Sequence, residues 1–479
     1  MRNERHGASK MKTKRKSGKV YLIGCGPGSP DLMTLRAVKA LREADVILYD
    51  RLIDPSILKF SRKAKKVYIG KEVGESSKQA RINELMYLEA AKGKTVARLK
   101  NGDPMIFGRG GEELLYLRSR GISVEVIPGL SSATSIPSLL KIPLTQRGVA
   151  SRLIIFSGHQ AKEGNLKHGR SGETVVVLMG VGNLRSVVKK LVANGKKRSA
   201  LCAIISSGST EKERLLVSPL SRAEEMARVV GIKSPALLVV GDVVRSLLNF
   251  RGMSIAFFRP IEEISETERA VKLVGGIPKV YGVCEIDFSD AEKLRAELSK
   301  KWDAVVFMSK NGVRAFANVA SGDDFIPIAV GESTKAELEK LGFRRILLPR
   351  EHDSRGVEEL IRVRGLRRVL ALRSSAAEGV IRGAKNVVAY SIKPKRNLSS
   401  IKRYLREKID FTVLTSVAIL KMLLSEAEKK GLREELVKKM NRTFVISLSR
   451  KITTFSIANK IKVNYELEKP SLNELFKVV

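Results

Sequence analysis

The side chains best suited to chemistry in this sequence cluster between positions 101 and 113. Asn101-Gly102-Asp103-Pro104 sets a carboxylate beside a glycine. Phe107-Gly108-Arg109-Gly110-Gly111-Glu112-Glu113 sets a guanidinium one helical turn from a carboxylate, among glycines. Glycine lets a backbone approach a ligand closely, and an aspartate can accept hydrogen bonds from sugar hydroxyls. Arginine grips carboxylates bidentately, and Glu112 is spaced to orient Arg109; the plain alternative is an exposed Arg–Glu pair. A second glycine-rich string, Gly24-Cys25-Gly26-Pro27-Gly28, follows an apolar run, with Asp50 where a ribose-binding acid would stand. That invites a dinucleotide site. The spacing is GxGxG, however, and Pro27 removes an amide that a phosphate cradle would use. A nucleoside without a pyrophosphate suits this turn better; a tight turn with no ligand is the remaining reading.

Bulk properties narrow the field. The chain has 479 residues, enough for two to four cores, and 43% hydrophobic content. No apolar run reaches the roughly 18 residues of a membrane span, and the basic stretch up to Lys19 lacks the apolar centre of a signal peptide, so a cytoplasmic protein is expected. Cys25, Cys202 and Cys284 lie far apart without metal-ligand spacing, which fits a reducing compartment. With four histidines in all, neither a histidine metal site nor a Ser-His-Asp triad is expected. The formal charge of +39 implies an anionic partner: nucleic acid, a membrane surface or a multiply charged small molecule. Aromatic residues are only 5% and no base-stacking string appears, which weakens a nucleic-acid-binding reading.

These residues need strands and helices to hold them. Apolar runs alternate with amphipathic stretches in the manner of an α/β chain. Strands are expected at 20–24, 45–49, 96–99, 124–127, 153–157, 175–179 and 236–240, with a helix over 32–43. The alternation restarts after 246–252, with strands at 255–258, 304–308, 326–330, 369–372, 387–390, 411–414 and 444–448. The resulting division is a basic disordered tail (1–18), a first α/β domain (19–245), a linker (246–253) and a second α/β domain (254–479). Lobe one of the second domain comprises 254–280 plus 393–479, and lobe two 284–390.

The first half resembles the uroporphyrinogen-III C-methyltransferases. The resemblance rests on Val20 to Gly28, Asp31 to Leu35, Ala44 to Leu52, Gly70-Lys71, Arg98 to Pro104, Phe107 to Glu113, Val126 to Gly129, Ile142 to Thr145 and Gly158-His159, in that order. It implies a tetrapyrrole-methylase fold of two α/β subdomains with the site between them, homodimerisation, and methylation by S-adenosylmethionine. By that resemblance Pro27, Asn101, Gly102, Asp103, Ile106, Ser131, Ser132, Met179 and Gly208 line the cofactor site. Asp50 is implied as proton acceptor and Lys71 as proton donor, although each could equally be a structural charge. Arg109, Glu112 and Arg147 are implied to face the acidic tetrapyrrole. A base role also attaches to Arg109 in the family, but arginine is effectively always protonated, so anchoring and charge stabilisation are expected of it. Asn101 and Gln146 depart from the family's usual glycine and histidine; Gln146 cannot titrate near neutrality.

The second half resembles the uroporphyrinogen-III synthases through Val305 to Phe316, Ala329 to Lys335, Leu341 to Phe343 and Thr415-Ser416. The resemblance implies a two-lobed α/β domain that closes hydroxymethylbilane while inverting its last ring. Ser309, Asn311, Thr415 and Ser416 are the implied substrate contacts, and Tyr390 the group assisting departure of a hydroxyl. Ser447-Leu448-Ser449-Arg450 lacks the glycine usual at that turn, and Thr453 stands nearby. The combined expectation is a fusion of consecutive steps, yielding uroporphyrinogen III and then precorrin-2 on the way to sirohaem or cobalamin. The alternatives are a methyltransferase carrying a noncatalytic module and, weakened by the scarcity of aromatic residues, an RNA-directed methylase. Small tetrapyrroles are the expected partners, without nucleic acid, membrane or metal.

Overall fold

The computed structural model describes residues 18–70, 77–159, 172–289, 291–322, 324–377, 379–395, 399–469 and 471–478. Lys71 and all of the basic tail except Gly18 lie outside them. The chain is α/β and divides into two compact units, Met1–Leu247 and Leu248–Val479.

In the first unit β1 (Lys19–Gly24), β2 (Val46–Tyr49), β3 (Lys65–Tyr68), β4 (Val96–Lys100) and β5 (Ser123–Ile127) form a parallel sheet of order β3-β2-β4-β1-β5. Parallel strands covered on both faces read as continuous apolar runs, and β1 shows why. Tyr21 and Ile23 pack with Ala37, Ala40 and Leu41 of α1 (Leu35–Glu43). Val20 and Leu22 pack on the opposite face with Ile82 and Met86 of α2 (Ser77–Ala91) and Leu117 of α3 (Gly110–Arg118). Burial of each leucine, isoleucine, valine or methionine among them contributes roughly 1.5–3 kcal/mol. Helix α1 begins three residues later than the sequence pattern suggests. Pro30–Leu32 forms a 3-10 turn, and the Thr34 hydroxyl caps α1 by accepting from the Ala37 amide at 3.2 Å.

A second sheet of this unit comprises β6 (Arg152–Ser157), β7 (Glu173–Leu178), β8 (Leu201–Ser206), β9 (Arg214–Pro219) and β10 (Ala236–Val240), in the order β9-β8-β10-β7-β6. Only β6 and β7 run parallel there. Helix α4 (Ser132–Leu139) follows β5 of the first sheet and packs on β7 and β10 of the second.

The second unit has β11 (Ser254–Pro260), β12 (Ile277–Asp287), β13 (Ala304–Phe307), β14 (Ile326–Ala329), β15 (Val369–Ser374), β16 (Lys385–Pro394), β17 (Phe411–Leu414), β18 (Phe444–Ser447) and β19 (Tyr465–Glu466). One parallel lobe runs β12-β11-β17-β18-β19 and the other β14-β13-β15-β16. The long strands β12 and β16 carry the chain between lobes. They pair antiparallel with each other from Cys284–Pro394 to Asp287–Ser391. Phe258, Tyr281 and Tyr404 pack ring to ring in the first lobe. Phe307, Phe316, Phe325 and Phe343 do so in the second. No helix among the described residues is long and apolar enough to cross a membrane.

Candidate active site

Three loops at the carboxyl edge of the first sheet touch backbone to backbone. The loops after β1 and β4 exchange amide–carbonyl bonds between Gly26 and Gly102, at 3.3 and 2.7 Å. Both glycines hold left-handed φ values, 77° and 72°, which β-carbon-bearing residues adopt only with strain. A β-carbon on Gly129, after β5, would stand 2.3 Å from the Gly102 carbonyl oxygen and 2.7 Å from the Gly24 Cα. These glycines therefore serve loop-to-loop contact. Asp103 ties the same loops together, one carboxylate oxygen accepting from the Met105 amide at 2.8 Å and the other from Gly129 at 3.1 Å. A carboxylate has about four acceptor positions, so Asp103 keeps capacity for hydroxyl donors.

The second sheet contributes the opposite wall. The Ser209 hydroxyl accepts from the Ser29 amide at 3.3 Å, so the loop after β8 meets the loop after β1. Gly208 lies against α4, where a β-carbon would stand 2.6 Å from Ile136 Cγ2. Pro27, Asn101, Gly102, Asp103, Ser131, Ser132 and Gly208 thus belong to loops in mutual contact. The Ser131 hydroxyl is already engaged, capping α4 by accepting from Ala133 at 3.3 Å. Met179 leaves β7 with φ 55° and a largely exposed side chain, and Ile106 is also exposed.

Beneath these loops lies a buried charge cluster that the sequence patterns did not single out. Glu113 is fully buried and accepts from Lys100 at 2.8 Å and Gln79 at 3.0 Å, with Arg98 at 3.5 Å. Arg98 also reaches the Asp50 carboxylate at 3.5 Å, and Asp50 accepts from the Leu52 amide at 3.1 Å. Two cations therefore balance two carboxylates. Burial, followed by the neighbouring Arg98 charge, pushes the Lys100 ammonium down to about 8. The signal in the sequence is two charges inside an otherwise apolar strand, Val96-Ala97-Arg98-Leu99-Lys100.

Arg109 stands just before the first turn of α3 in a left-handed conformation, φ 58°, makes no side-chain cap bond, and donates twice to Glu112, at 2.9 and 2.6 Å. Glu112 holds its guanidinium above the usual arginine value, which reinforces a charge role over a base role. The pair is half-exposed. Arg147 is exposed on the turn closed by Gln146 and Ala150.

In the second unit Ser309 caps α9 (Lys310–Ala317), which follows α5 (Leu184–Ala193) and α6 (Ala223–Val230) of the first unit and α7 (Ile264–Leu273) and α8 (Ala291–Leu298) of the second, by accepting from Gly312 at 3.1 Å. Its hydroxyl also meets the Tyr390 hydroxyl at 2.9 Å. Burial raises the Tyr390 phenol, against the opposing effect of Ser309, Ser374 and Asn311. Asn311 donates to Glu263 at 3.4 Å, Glu263 pairs with Arg259, and Arg259 donates to Thr415 at 3.3 Å. Arg259 and Glu263, two residues that sequence reasoning passed over, thus join Thr415 to Asn311, while Ser309, which caps the helix carrying Asn311, bonds Tyr390. Ser416 begins the helix Val417–Glu428 without a side-chain cap bond. The Thr453 hydroxyl is fully buried against that of Ser447. Among the described residues no group of three or more His, Cys, Asp or Glu side chains is gathered as a metal site would require.

Comparison with known proteins follows the same division. The model of tetrapyrrole (corrin/porphyrin) methylases matches residues 19–224, and that of uroporphyrinogen-III synthase HemD matches 265–477. The uroporphyrinogen-III C-methyltransferase of Methanocaldococcus jannaschii is 42% identical over 238 residues, which is 48% of this chain and 98% of that protein. The siroheme synthase of Nitrosospira multiformis is 41% identical over 234 residues, 47% of this chain and 49% of its own length. A solved structure of uroporphyrin-III C-methyl transferase from Thermus thermophilus, complexed with S-adenyl homocysteine, is 40% identical. It covers 48% of this chain and 95% of that one, with a TM-score of 0.42. Because this chain covers 98% of a methyltransferase to which it is 42% identical, it belongs to the uroporphyrinogen-III C-methyltransferase family, and it carries a HemD-type region behind that part.

Proposed function

We propose that residues 19–245 methylate uroporphyrinogen III at carbons 2 and 7 to give precorrin-2, and that residues 254–479 make uroporphyrinogen III from hydroxymethylbilane. The observation that carries the first activity is the meeting of the loops after β1, β4 and β5 with the loop after β8. It gathers Pro27, Gly102, Asp103 and Gly208, positions through which the resemblance routes the methyl donor. S-adenosylmethionine supplies an electrophilic methyl group on a sulfur that leaves with the bonding electron pair. The spare acceptor positions of Asp103 suit its ribose hydroxyls, the close backbone at Gly102 suits its approach, and the exposed Met179 and Ile106 side chains suit a flat apolar base.

The remaining tasks belong to this chain's own groups. The acceptor carbon must lie in line with the methyl group, and Arg109 and Arg147 anchor the tetrapyrrole's carboxylates to hold it there. The alkylated ring then releases a proton, and Asp50, held by Leu52 and Arg98, is the acceptor in this reading. Lys71 is the proton donor, and the enzyme acts as a homodimer in the cytoplasm.

Incubating the purified chain with hydroxymethylbilane and S-adenosylmethionine tests both activities; a methylated type III product is expected. Supplying uroporphyrinogen III directly tests the first unit alone. A chain that methylates supplied uroporphyrinogen III but makes none from hydroxymethylbilane would establish the competing reading, a noncatalytic second unit. What favours that alternative is the buried Ser447–Thr453 contact, which closes off two hydroxyls at the end of β18.

A further inference from the structure

In the second unit one polar chain crosses from lobe to lobe. Thr415, at the end of β17, accepts from Arg259 at the end of β11. Arg259 pairs with Glu263, one turn further on. Glu263 accepts from Asn311, in the first turn of α9 on the other lobe. Tyr390 lies beyond Asn311 and bonds Ser309. Glu263 is 7% exposed and Asn311 9%. A second ion pair, Lys310 with Glu266 at 2.9 Å, makes the same lobe-to-lobe step nearer solvent.

Two observations set the Arg259–Glu263 pair apart from structural filler. A buried ion pair adds little net stability, and apolar residues of similar volume often replace one without loss. Here, moreover, the Arg259 Nε is buried with no partner among the described residues, an arrangement that is destabilising. A device meant only to stabilise the fold would not leave that group unpaired. The pair also meets residues of both lobes, and these are the same residues that the synthase resemblance places at the substrate.

We propose that Arg259 and Glu263 are a positioning pair for ring closure, holding Thr415 and Asn311 from opposite lobes in one array with Ser309 and Tyr390, so that the last ring closes inverted. The proposal rests on the cyclase reading of this unit. Neither residue is required to touch the reacting atoms; each fixes the direction of a group that does. Closure of a linear tetrapyrrole onto itself needs no inversion, so the ratio of inverted to uninverted product reports the geometry of the array and not merely the amount of folded protein.

The test uses the full chain with hydroxymethylbilane, comparing the parent with Glu263→Gln, Arg259→Gln, Glu263→Asp and the apolar double variant Arg259→Met/Glu263→Leu. In Glu263→Gln and Arg259→Gln, kcat for the inverted isomer should fall about tenfold with little change in KM, and the ratio should move toward the uninverted isomer. Glu263→Asp, which keeps the charge, should recover part of the loss. The double variant removes the pair without leaving an isolated buried charge, so it should melt close to the parent and still lose inversion. Methyl transfer to supplied uroporphyrinogen III should be unchanged in all four. An active parent whose double variant keeps its rate and isomer ratio within about twofold overturns the proposal alone. A parent that forms no inverted isomer overturns the cyclase reading, and the proposal with it.

Discussion

In the first unit the sheet ends in loops that touch backbone to backbone through Gly24, Gly102 and Gly129, above four buried or half-buried charges. In the second unit the corresponding strand ends carry hydroxyls, Ser309 after β13 and Thr415 after β17, and the buried Arg259–Glu263 pair joins Thr415 to Asn311 of the other lobe. The contrast follows from what each proposed reaction asks. Methyl transfer needs two partners held in line, and glycine contacts with a balanced charge cluster make a stiff edge. Ring closure must bring together the ends of a long flexible molecule, which suits two lobes joined by long strands and lined with neutral hydrogen-bonding groups.

Removing Glu113 should do the most damage to this contrast. Glu113→Ala leaves Lys100 as an uncompensated buried charge and Arg98 with Asp50 alone, which costs about 3–5 kcal/mol. Denaturant unfolding should show the first unit melting early while the second keeps its own transition; a single unshifted transition would mean the cluster is not structural. Next comes Gly129→Ala. Its β-carbon meets two other loops, so a loss of roughly 1–3 kcal/mol is expected, together with loss of methyl transfer and retention of cyclase activity.

A pH series sharpens the same point. The Lys100 ammonium titrates near 8 in the folded chain, against 10.5 for the free side chain. Between those values the unfolded chain binds more protons, so stability rises with pH across that window and the destabilising contribution is fully present below it. The stability of the parent minus that of Lys100→Met should therefore climb between about pH 8 and 10.5; a flat difference would show that Glu113 fully offsets the burial. The smallest structural effect is expected from Arg109→Lys. Its pair with Glu112 is half-exposed, so stability should change by under about 1 kcal/mol. Loss of the bidentate fork should still raise KM for the anionic tetrapyrrole about tenfold.

Much of the fold was legible because buried parallel strands are continuous apolar runs. Phe411–Leu414 and Ala236–Val240 have the bounds that their composition implies. The strand Lys65–Tyr68 was missed because it lies at a sheet edge, with two lysines in four residues. The glycine strings announced a close approach, but one loop packing against another leaves the same trace as a loop packing against a ligand. The strand over 96–99 was legible as a buried one, but nothing in its composition says which carboxylates Arg98 and Lys100 meet; only the packing of α3 brings Glu113 to them. Arg259 and Glu263 are spaced like an ordinary surface pair, and their partners Thr415 and Asn311 are brought to them only by the folding of both lobes.

The crossing between those lobes also bears on how such a unit can be cut and rebuilt. Lys395 donates its amide to the Val283 carbonyl at 3.0 Å, so the chain leaves the first lobe and returns to it at adjacent points. Everything between is, in effect, one long insertion. Excising it and joining residue 283 to 395 through a short turn would leave β11 still paired with β12 and β17. The first lobe could then exist as a small continuous protein, and the second could be exchanged as a cassette.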